Sequence, residues 1–403
     1  MPIRTHLHPA DLQGIAQLAV DATLGVTGIV EDMHRNIAGV SLPLGKAPTG
    51  SARGLSGLVY RGVRGVTRLT GAAIGAAMTP LVPLFGARPS SPERNAVVAA
   101  MNGVMGDYLA ETHNPLALTM QMKVDGRPLP PGRAALAATV PTASDKVLLL
   151  IHGLCMSDEG WCRGGHDHGR ELARELGATA IYLSYNSGRH ISDNGKSLAS
   201  LLEEFLPLWP IKVRELTIIG HSMGGLVARS ALHAAQQAGH RWPAKLKHLV
   251  FLGTPHHGSP VERGGHQVDA LLTMSPYVAP FAKLGQVRSA GITDLRHGNL
   301  VESDWRGTDR FERTQRRPAP LPLPADVACY AVAATNGKKV GSAKDRVMGD
   351  GLVPVSSALG RHRLVKWSLD IPESRRVVVP STNHMQLLSS TEVCAQLLRW
   401  LRP

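Results

Sequence analysis

Residues 215–239 read ELTIIGHSMGGLVARSALHAAQQAG, and this stretch decides the fold. The apolar run LTIIG is typical of a short buried strand, and the residues after Gly225 place apolar side chains at helical spacing. Between the two lies a Gly-x-Ser-x-Gly turn centred on Ser222. Small residues are required on both sides of so tight a bend, because larger side chains do not fit. The stretch therefore predicts a strand, a sharp turn and a helix, with the Ser222 hydroxyl raised at the end of the strand.

Apolar runs alternate with amphipathic helices on both sides of this stretch. We predict strands at KVLLLI, TAIYLSYN, LKHLVFLG, DVACYAVAAT and SRRVVVPS, and helices at HGRELARELG, GKSLASLLEEFLPLW and TEVCAQLLRWL. Such alternation indicates an α/β fold in which a mostly parallel sheet is covered by helices on both faces. One more strand is predicted in LALTMQMKVDG, where apolar and polar residues alternate before an Asp-Gly turn.

The pattern divides the chain into two regions. Residues 1–113 form a helical N-terminal extension with three helical patterns, beginning near Leu12, near Leu55 and after Pro92. Residues 114–403 form the α/β domain. Between 259 and 324 this domain contains no clear strand, and apolar clusters alternate with charged loops. We therefore predict an insertion there, in the position of a cap or lid.

A serine hydroxyl becomes a nucleophile when a base takes its proton, and the base needs an acid that orients it. Asp350 follows the predicted strand DVACYAVAAT, and His384 follows the last predicted strand. Both side chains are therefore expected at the same sheet edge as Ser222. The glycine after Asp350 and the apolar residues 352–354 favour it as the acid. The alternatives are Asp304, Asp309 and Asp345 for the acid and His362 for the base.

Negative charge that develops on a substrate oxygen beside Ser222 needs two preorganised N–H donors. One is expected from Met223, which follows the serine at the start of the helix. The second is assigned to Leu154, in the His-Gly-Leu loop directly after KVLLLI. These two backbone N–H groups are the predicted oxyanion hole.

The motifs together resemble a known family. HGL after a strand, GHSMGG, GTPHHGS, DGLVP and NHMQLL resemble bacterial triacylglycerol lipases and are similar to the GPI inositol-deacylase-like branch of the α/β-hydrolases. The resemblance covers roughly residues 116–403. It implies the α/β-hydrolase fold, the triad Ser222, Asp350 and His384 in the chain order nucleophile, acid, histidine, and no cofactor. It also implies a serine esterase or lipase.

The resemblance implies hydrolysis of carboxylic esters, and the apolar residues of the predicted insertion favour lipid-like esters with medium or long acyl chains. The residues predicted to line the substrate pocket are His152, Cys155, His256, Leu271, Leu272, Tyr277, Phe281 and Val353. An acyltransferase or a thioesterase with the same triad stays open, because the sequence does not distinguish water from another acceptor. A non-catalytic scaffold that binds a membrane or a partner is the alternative from another class, although every position of the triad is filled.

Two groups of histidines suggest metal binding. His256 and His257 are adjacent at a strand end, so their side chains should point in opposite directions. In DEGWCRGGHDHG the candidate ligands are Asp158, Glu159, His166 and His168, and we expect a solvated loop there rather than a metal site. No metal is therefore predicted. The four cysteines are expected to be free thiols, with a Cys155–Cys162 bridge as the alternative.

The net charge is +13, but no nucleic-acid-binding motif accompanies it, so no nucleic acid partner is expected. Arg61, Arg64 and Arg68 stand beside an apolar helical face, and the uncharged stretch LTGAAIGAAMTPLVPLFG follows. Peripheral contact of residues 54–86 with an anionic membrane is one interpretation, and a helix packed on the α/β domain is the other. The N-terminus lacks the layout of a secretory signal. The expected location is cytoplasmic, with attachment to the inner membrane face as an alternative.

Overall fold

The computed structural model describes residues 8–38, 61–69, 91–258, 289–308, 318–338 and 349–402. They fall into two compact units. One takes its residues from Met1–Arg94 and Thr112–Leu116, and the other from Asn95–Glu111 and Ala117–Pro403. The boundary predicted at residue 113 thus differs from this division, because residues 95–111 group with the second unit.

The first unit contains helix α1, Pro9–Ala38, a helix α2 over residues 61–69, and the first residues of helix α3, Pro92–Glu111. Arg94 binds the Asp11 carboxylate through two hydrogen bonds, Nε to Oδ2 at 2.7 Å and Nη2 to Oδ1 at 2.5 Å. Burial alone would raise the pKa of Asp11, but these bonds outweigh it and the pKa lies below its usual value. This unit is therefore held partly by a bidentate ion pair.

No helix that the structure describes is both long enough and apolar enough to cross a bilayer. Residues 70–86, which carry most of the uncharged stretch noted above, lie outside the described residues.

The second unit is built on an eight-stranded sheet and a separate two-stranded hairpin. The sheet strands are β1 Gln121–Val124, β2 Arg127–Pro128, β3 Lys146–Ile151, β6 Thr179–Ser184, β7 Glu215–His221, β8 Leu246–Leu252, β9 Ala328–Ala334 and β10 Arg376–Val379. The hairpin strands are β4 Cys162–Arg163 and β5 His166–Asp167. The sheet order is β2-β1-β6-β3-β7-β8-β9-β10, and every pair is parallel except β2–β1 and β1–β6. The prediction of a mostly parallel sheet is confirmed.

Helices cover both faces of this sheet. They are α4 Arg133–Thr139, α5 His168–Leu176, α6 Ile191–Phe205, α7 Met223–Ala238, α8 Ala290–His297, α9 Glu302–Trp305, α10 Val355–Ala358 and α11 Thr391–Leu401. In β3, Leu149 belongs to the hydrophobic cluster that contains α6 and α7, whereas Leu148 and Leu150 belong to the cluster that contains α5 and α11. Successive residues of a strand point to opposite faces, so a strand buried on both faces is continuously apolar.

The strand order reverses at the centre of the sheet. From β3 the chain passes to β6 on one side, and from β6 it crosses to β7 on the other side of β3. The loops that follow β3 and β7 therefore leave the carboxyl edge in different directions. Such a switch point opens the crevice in which α/β sheets bind ligands.

Two sequence predictions differ from the structure or fall outside it. Residues 117–120 are not in a strand, because the Leu118 N–H donates to the Asn102 side chain at 2.9 Å instead of to a neighbouring strand. Of the predicted insertion, 259–288 and 309–317 lie outside the described residues, while 289–308 contains α8 and α9.

Candidate active site

Ser222 lies at the tight turn between β7 and α7, with φ +53° and ψ −123°. Non-glycine residues rarely adopt a positive φ, and such strain is concentrated at functional positions. The surrounding glycines are required by space. A Cβ on Gly220 would lie 2.5 Å from the Gly225 Cα, and a Cβ on Gly224 would lie 2.2 Å from the Ile151 carbonyl oxygen. The GHSMGG turn therefore fits the sheet only with glycine at these positions.

Asp350 is held by hydrogen bonds with three residues. Its Oδ1 accepts the backbone N–H groups of Leu352 at 3.0 Å and Val353 at 2.9 Å. Its Oδ2 lies 2.7 Å from the Nδ1 of His384, and its carbonyl oxygen accepts the His384 backbone N–H at 3.1 Å. The two residues are almost completely buried. Because a carboxylate only accepts, this contact places a proton on Nδ1 and leaves Nε2 as the basic nitrogen.

His384 follows β10 in the chain, and its side chain packs against the residues at the end of β8, beside the serine turn. A Cβ on Gly253 would lie 3.1 Å from the Cε1 and Nδ1 atoms of the His384 imidazole. The residue before Gly253, Leu252, accepts the Ser222 backbone N–H at 2.8 Å. The His221 ring lies 4.7 Å from the His384 ring between centroids, and its Nε2–H donates to the His384 carbonyl at 3.1 Å. The fold thus brings Ser222, Asp350 and His384 to one end of the sheet.

The Nε2 atom of His384 is buried and has no hydrogen-bond partner among the residues that the structure describes. A buried polar nitrogen without a partner is costly, and such atoms require an explanation. The unpartnered His384 Nε2 is explained if this nitrogen takes a proton from a substrate or from a hydroxyl.

The loop after β3 runs along the serine. A Cβ on Gly153 would lie 3.1 Å from the Ser222 Cβ, so the loop backbone lies against Ser222. Leu154 follows in this loop, and Met223 is the first residue of α7. Within the described part of the chain, neither backbone N–H donates a hydrogen bond. Both donors are therefore available next to Ser222.

The buried side chain of His152 supports this loop. Its imidazole is completely buried, stacks on Tyr185 with 4.3 Å between centroids, and its Nδ1 lies 2.8 Å from the Gly153 carbonyl. The Tyr185 hydroxyl donates to the His152 carbonyl at 2.8 Å. Burial lowers the pKa of His152 to about 4, so the ring is neutral near pH 7. His152 therefore supports the loop as a neutral ring.

The other predicted pocket residues have different surroundings. His256 is buried against Phe251, and its Nδ1 lies 3.3 Å from the Arg229 guanidinium. His257 faces His362 instead, with 5.0 Å between ring centroids, so the adjacent histidines have different neighbours. Cys155 packs on α3, where a Cβ on Gly103 would lie 2.2 Å from its Sγ. Val353 is buried beside Asp350. Leu271, Leu272, Tyr277 and Phe281 lie outside the described residues.

The alternative acid and base candidates that the structure describes make hydrogen bonds with other residues. Asp304 accepts the backbone N–H groups of Leu300 and Val301 at the start of α9. His362 is half-exposed and bonds to Leu364. Asp309 and Asp345 lie outside the described residues.

The expectation of a solvated loop at DEGWCRGGHDHG holds for residues 162–165, which are exposed, but is wrong for Asp158 and His168. Asp158 is buried and accepts from the Lys123 ammonium at 2.8 Å, and Glu159 accepts from the Asn95 amide at 2.7 Å. His168 is fully buried as the first residue of α5. These contacts join residues far apart in the chain, so local composition did not indicate them. Cys155 and Cys162 are free thiols, as are Cys329 and Cys394.

Residues 142–319 match the model of a family described as the PGAP1-like alpha/beta domain. No curated protein sequence matches the chain. Similar solved structures include a Bacillus licheniformis lipase in its mature form, with a TM-score of 0.41 and 20% identity over 64% of this chain and 91% of that one. A thermophilic esterase from Thermogutta terrifontis, bound to malate, gives a TM-score of 0.37 and 16% identity over 64% and 90% of the two chains.

The sheet order, the strained serine turn and the switch point between β3 and β7 define the chain as an α/β-hydrolase-fold protein. Within that class, residues 142–319 are similar in sequence to the PGAP1-like alpha/beta domain.

Proposed function

We propose that this protein is a serine hydrolase that cleaves carboxylic esters through an acyl-enzyme. One observation supports this most strongly. His384 has its Nδ1 bonded to a buried carboxylate and its Nε2 without a partner in the described chain, and it lies beside the strained Ser222 turn. An imidazole that a carboxylate orients and whose Nε2 has no partner can take the proton of a neighbouring serine hydroxyl.

In the proposed reaction the Ser222 Oγ attacks the ester carbonyl while the His384 Nε2 takes the hydroxyl proton. The C–O bond to the alcohol then breaks, and the same Nε2 returns the proton to the leaving oxygen. Asp350 keeps the imidazole in the tautomer with a proton on Nδ1 and stabilises the imidazolium. The backbone N–H groups of Leu154 and Met223 bind the oxyanion of the tetrahedral intermediate.

In the second half-reaction a water molecule gives a proton to the His384 Nε2 and attacks the acyl-enzyme carbonyl. The acid is released and the Ser222 hydroxyl is restored. All these steps use groups of this chain and water, so the proposal requires no cofactor.

The assignment of the nucleophile is tested by labelling with a fluorophosphonate. We expect the wild-type chain to be labelled and the Ser222→Ala variant to lose both the label and ester hydrolysis. Ser356→Ala is the matched control, because Ser356 is an exposed serine on the short helix α10 close to Asp350 in sequence. Equal labelling of the wild type and Ser222→Ala would exclude Ser222 as the nucleophile.

For the substrate we propose lipid-like esters with acyl chains of medium or greater length. The support is the apolar sequence DALLTMSPYVAPFAKLG, residues 269–285, in the predicted insertion, since ligand pockets for acyl chains are lined mainly by apolar side chains. A panel of p-nitrophenyl esters should give a higher kcat/KM for octanoate than for acetate. A preference for acetate would contradict this substrate class but not the triad.

A further inference from the structure

Three side chains with metal-ligand atoms meet on the face of the sheet that carries α5 and α11. The ligand atoms of His166, His168 and Cys394 all lie within 4.8 Å of one another. His166 is half-buried, whereas His168 and Cys394 are buried. The mechanism proposed above uses none of these residues.

The backbone fixes both histidines around Asp167. His166 lies in β5, and His168 is the first residue of α5. Asp167 between them is the N-cap of α5, accepting the Arg170 N–H at 3.1 Å, and it also accepts the Tyr182 hydroxyl at 2.7 Å. These two hydrogen bonds fix Asp167, the residue between the two histidines in the chain.

The hydrogen bond of His168 to Leu387 directs the unprotonated ring nitrogen toward His166. Its Nε2 lies 2.8 Å from the Leu387 carbonyl, which can only accept, so the proton is on Nε2 and Nδ1 is unprotonated. That Nδ1 lies 2.7 Å from the His166 Nε2. Histidines that bind metals commonly donate their other ring N–H to a backbone carbonyl, which fixes the tautomer.

We propose that His166, His168 and Cys394 form a binding site for a transition-metal ion of the zinc type. Two imidazole nitrogens and one thiolate are borderline to soft ligands, which zinc accepts and which calcium and magnesium disfavour. Three protein ligands leave the fourth tetrahedral position for water. His166 is half-buried on the short hairpin and provides the side from which an ion can enter.

Binding requires two proton changes and a small movement. The Cys394 thiol releases its proton to solvent, because a coordinated thiol is deprotonated. His166 carries its proton on Nδ1 instead of Nε2, so the ring stays neutral and Nε2 is free to bind. The two ring nitrogens must separate from 2.7 Å to roughly 3.4 Å, the spacing of two ligands about 2.1 Å from a tetrahedral ion.

The site adjoins the loop that carries His384. Leu387, whose carbonyl accepts from His168, follows His384 by three residues. A bound ion would therefore hold α5, α11 and this loop together. This consequence for the loop is independent of whether His384 acts as a base.

The test uses the full-length, metal-free chain and Co²⁺ as a spectroscopic substitute for zinc. We expect one Co²⁺ per chain, an intense visible spectrum of tetrahedral cobalt, and a thiolate-to-cobalt charge-transfer band in the near ultraviolet. Cys394→Ala should lose the charge-transfer band, and His166→Gln should weaken binding at least tenfold. Cys162→Ala is the matched control, because Cys162 is an exposed thiol on the neighbouring strand β4 and should keep the full spectrum.

Two results would overturn the proposal. One is a wild-type chain without a thiolate-to-cobalt band, and the other is a band that survives Cys394→Ala. Thermal unfolding of the metal-free variants shows whether Cys394→Ala has folded, and His166→Gln, at a half-buried position, gives a second independent readout. Zn²⁺ should displace the cobalt spectrum and raise the Tm of the wild type but not of Cys394→Ala.

Discussion

At the scale of single residues, Asp350 determines the proposed chemistry. Two backbone N–H groups bind its Oδ1, so its Oδ2 is directed to the His384 Nδ1 at 2.7 Å. A carboxylate held in this way can orient the imidazole and stabilise its protonated form during the reaction. An amide at this position would instead offer an N–H to Nδ1 and favour the other tautomer.

The first prediction follows from this tautomer. Asp350→Asn should keep the fold, because the amide oxygen can still accept from Leu352 and Val353. It should reduce kcat for ester hydrolysis by about 10⁴-fold, since a wrong tautomer removes the general base. Steady-state kinetics with one p-nitrophenyl ester measures the change. The control is Asp304→Asn, which alters the cap of α9 and should leave kcat within about twofold. Loss of activity in Asp304→Asn, with retention in Asp350→Asn, would reverse the assignment.

How far the sequence predicts these residues depends on where each one lies. Ser222, Asp350 and His384 follow predicted strands, and parallel strands end at one edge, so their approach could be inferred. The bond between His221 and the His384 carbonyl joins residues 163 positions apart, and the contact of His168 with Leu387 spans 219. No local pattern encodes such contacts. His221 nevertheless lies within the quoted motif, as the residue directly before Ser222.

At the scale of secondary-structure elements, long periodic segments were predictable and short ones were not. The central strands β3, β7 and β8 and the helices α6, α7 and α11 match the predicted runs. The strand β2, the hairpin β4–β5 and the helix α4 were not predicted, because two residues of a strand or two turns of a helix carry too little periodicity. The strand β1 begins at Gln121, which is later than the alternating pattern of LALTMQMKVDG indicates.

The helix α2 carries the second prediction. It exposes Val66 and Leu69, which are 67% and 73% exposed, close to the exposed Arg68. We propose that these side chains contact an anionic membrane surface, where apolar burial and attraction of arginine act together. Val66→Glu/Leu69→Glu should reduce co-flotation with vesicles containing phosphatidylserine at least several-fold.

The matched control for this experiment is Leu364→Glu/Val365→Glu. Leu364 and Val365 are 44% and 86% exposed at a short helical turn of the second unit, so this variant adds the same two charges without changing α2. Equal flotation of the wild type and the double variant, or equal loss in the control, would remove the membrane proposal for α2.

At the scale of the whole molecule, buried histidines make the free energy of unfolding depend on pH. The pKa of His152 is about 4 in the folded chain, whereas an unfolded histidine has a pKa of about 6.5. Between these values the unfolded chain binds more protons, so the free energy of unfolding decreases as the pH falls. The stabilisation is complete above about pH 6.5, and His152 alone contributes about 3 kcal/mol that is lost by about pH 4.

The third prediction tests this linkage by urea unfolding at several pH values. His152→Gln keeps a polar side chain that can donate to the Gly153 carbonyl but does not titrate. Its free energy of unfolding should vary less with pH between about 6.5 and 4 than that of the wild type, by about 3 kcal/mol. Parallel pH profiles for the two proteins would show that His152 is not the titrating group.

The pairing of β8 with β9 has an evolutionary consequence. These strands are neighbours in the sheet, yet more of the chain separates them than separates any other sequential pair of the parallel strands, and the predicted insertion falls within that connection. Strand pairing places no limit on the length or composition of such a connection. Related chains can therefore differ in this segment, and with it in the proposed substrate preference, while the proposed triad residues stay unchanged. Chimeras that exchange residues 259–324 between relatives would make the same change in the laboratory.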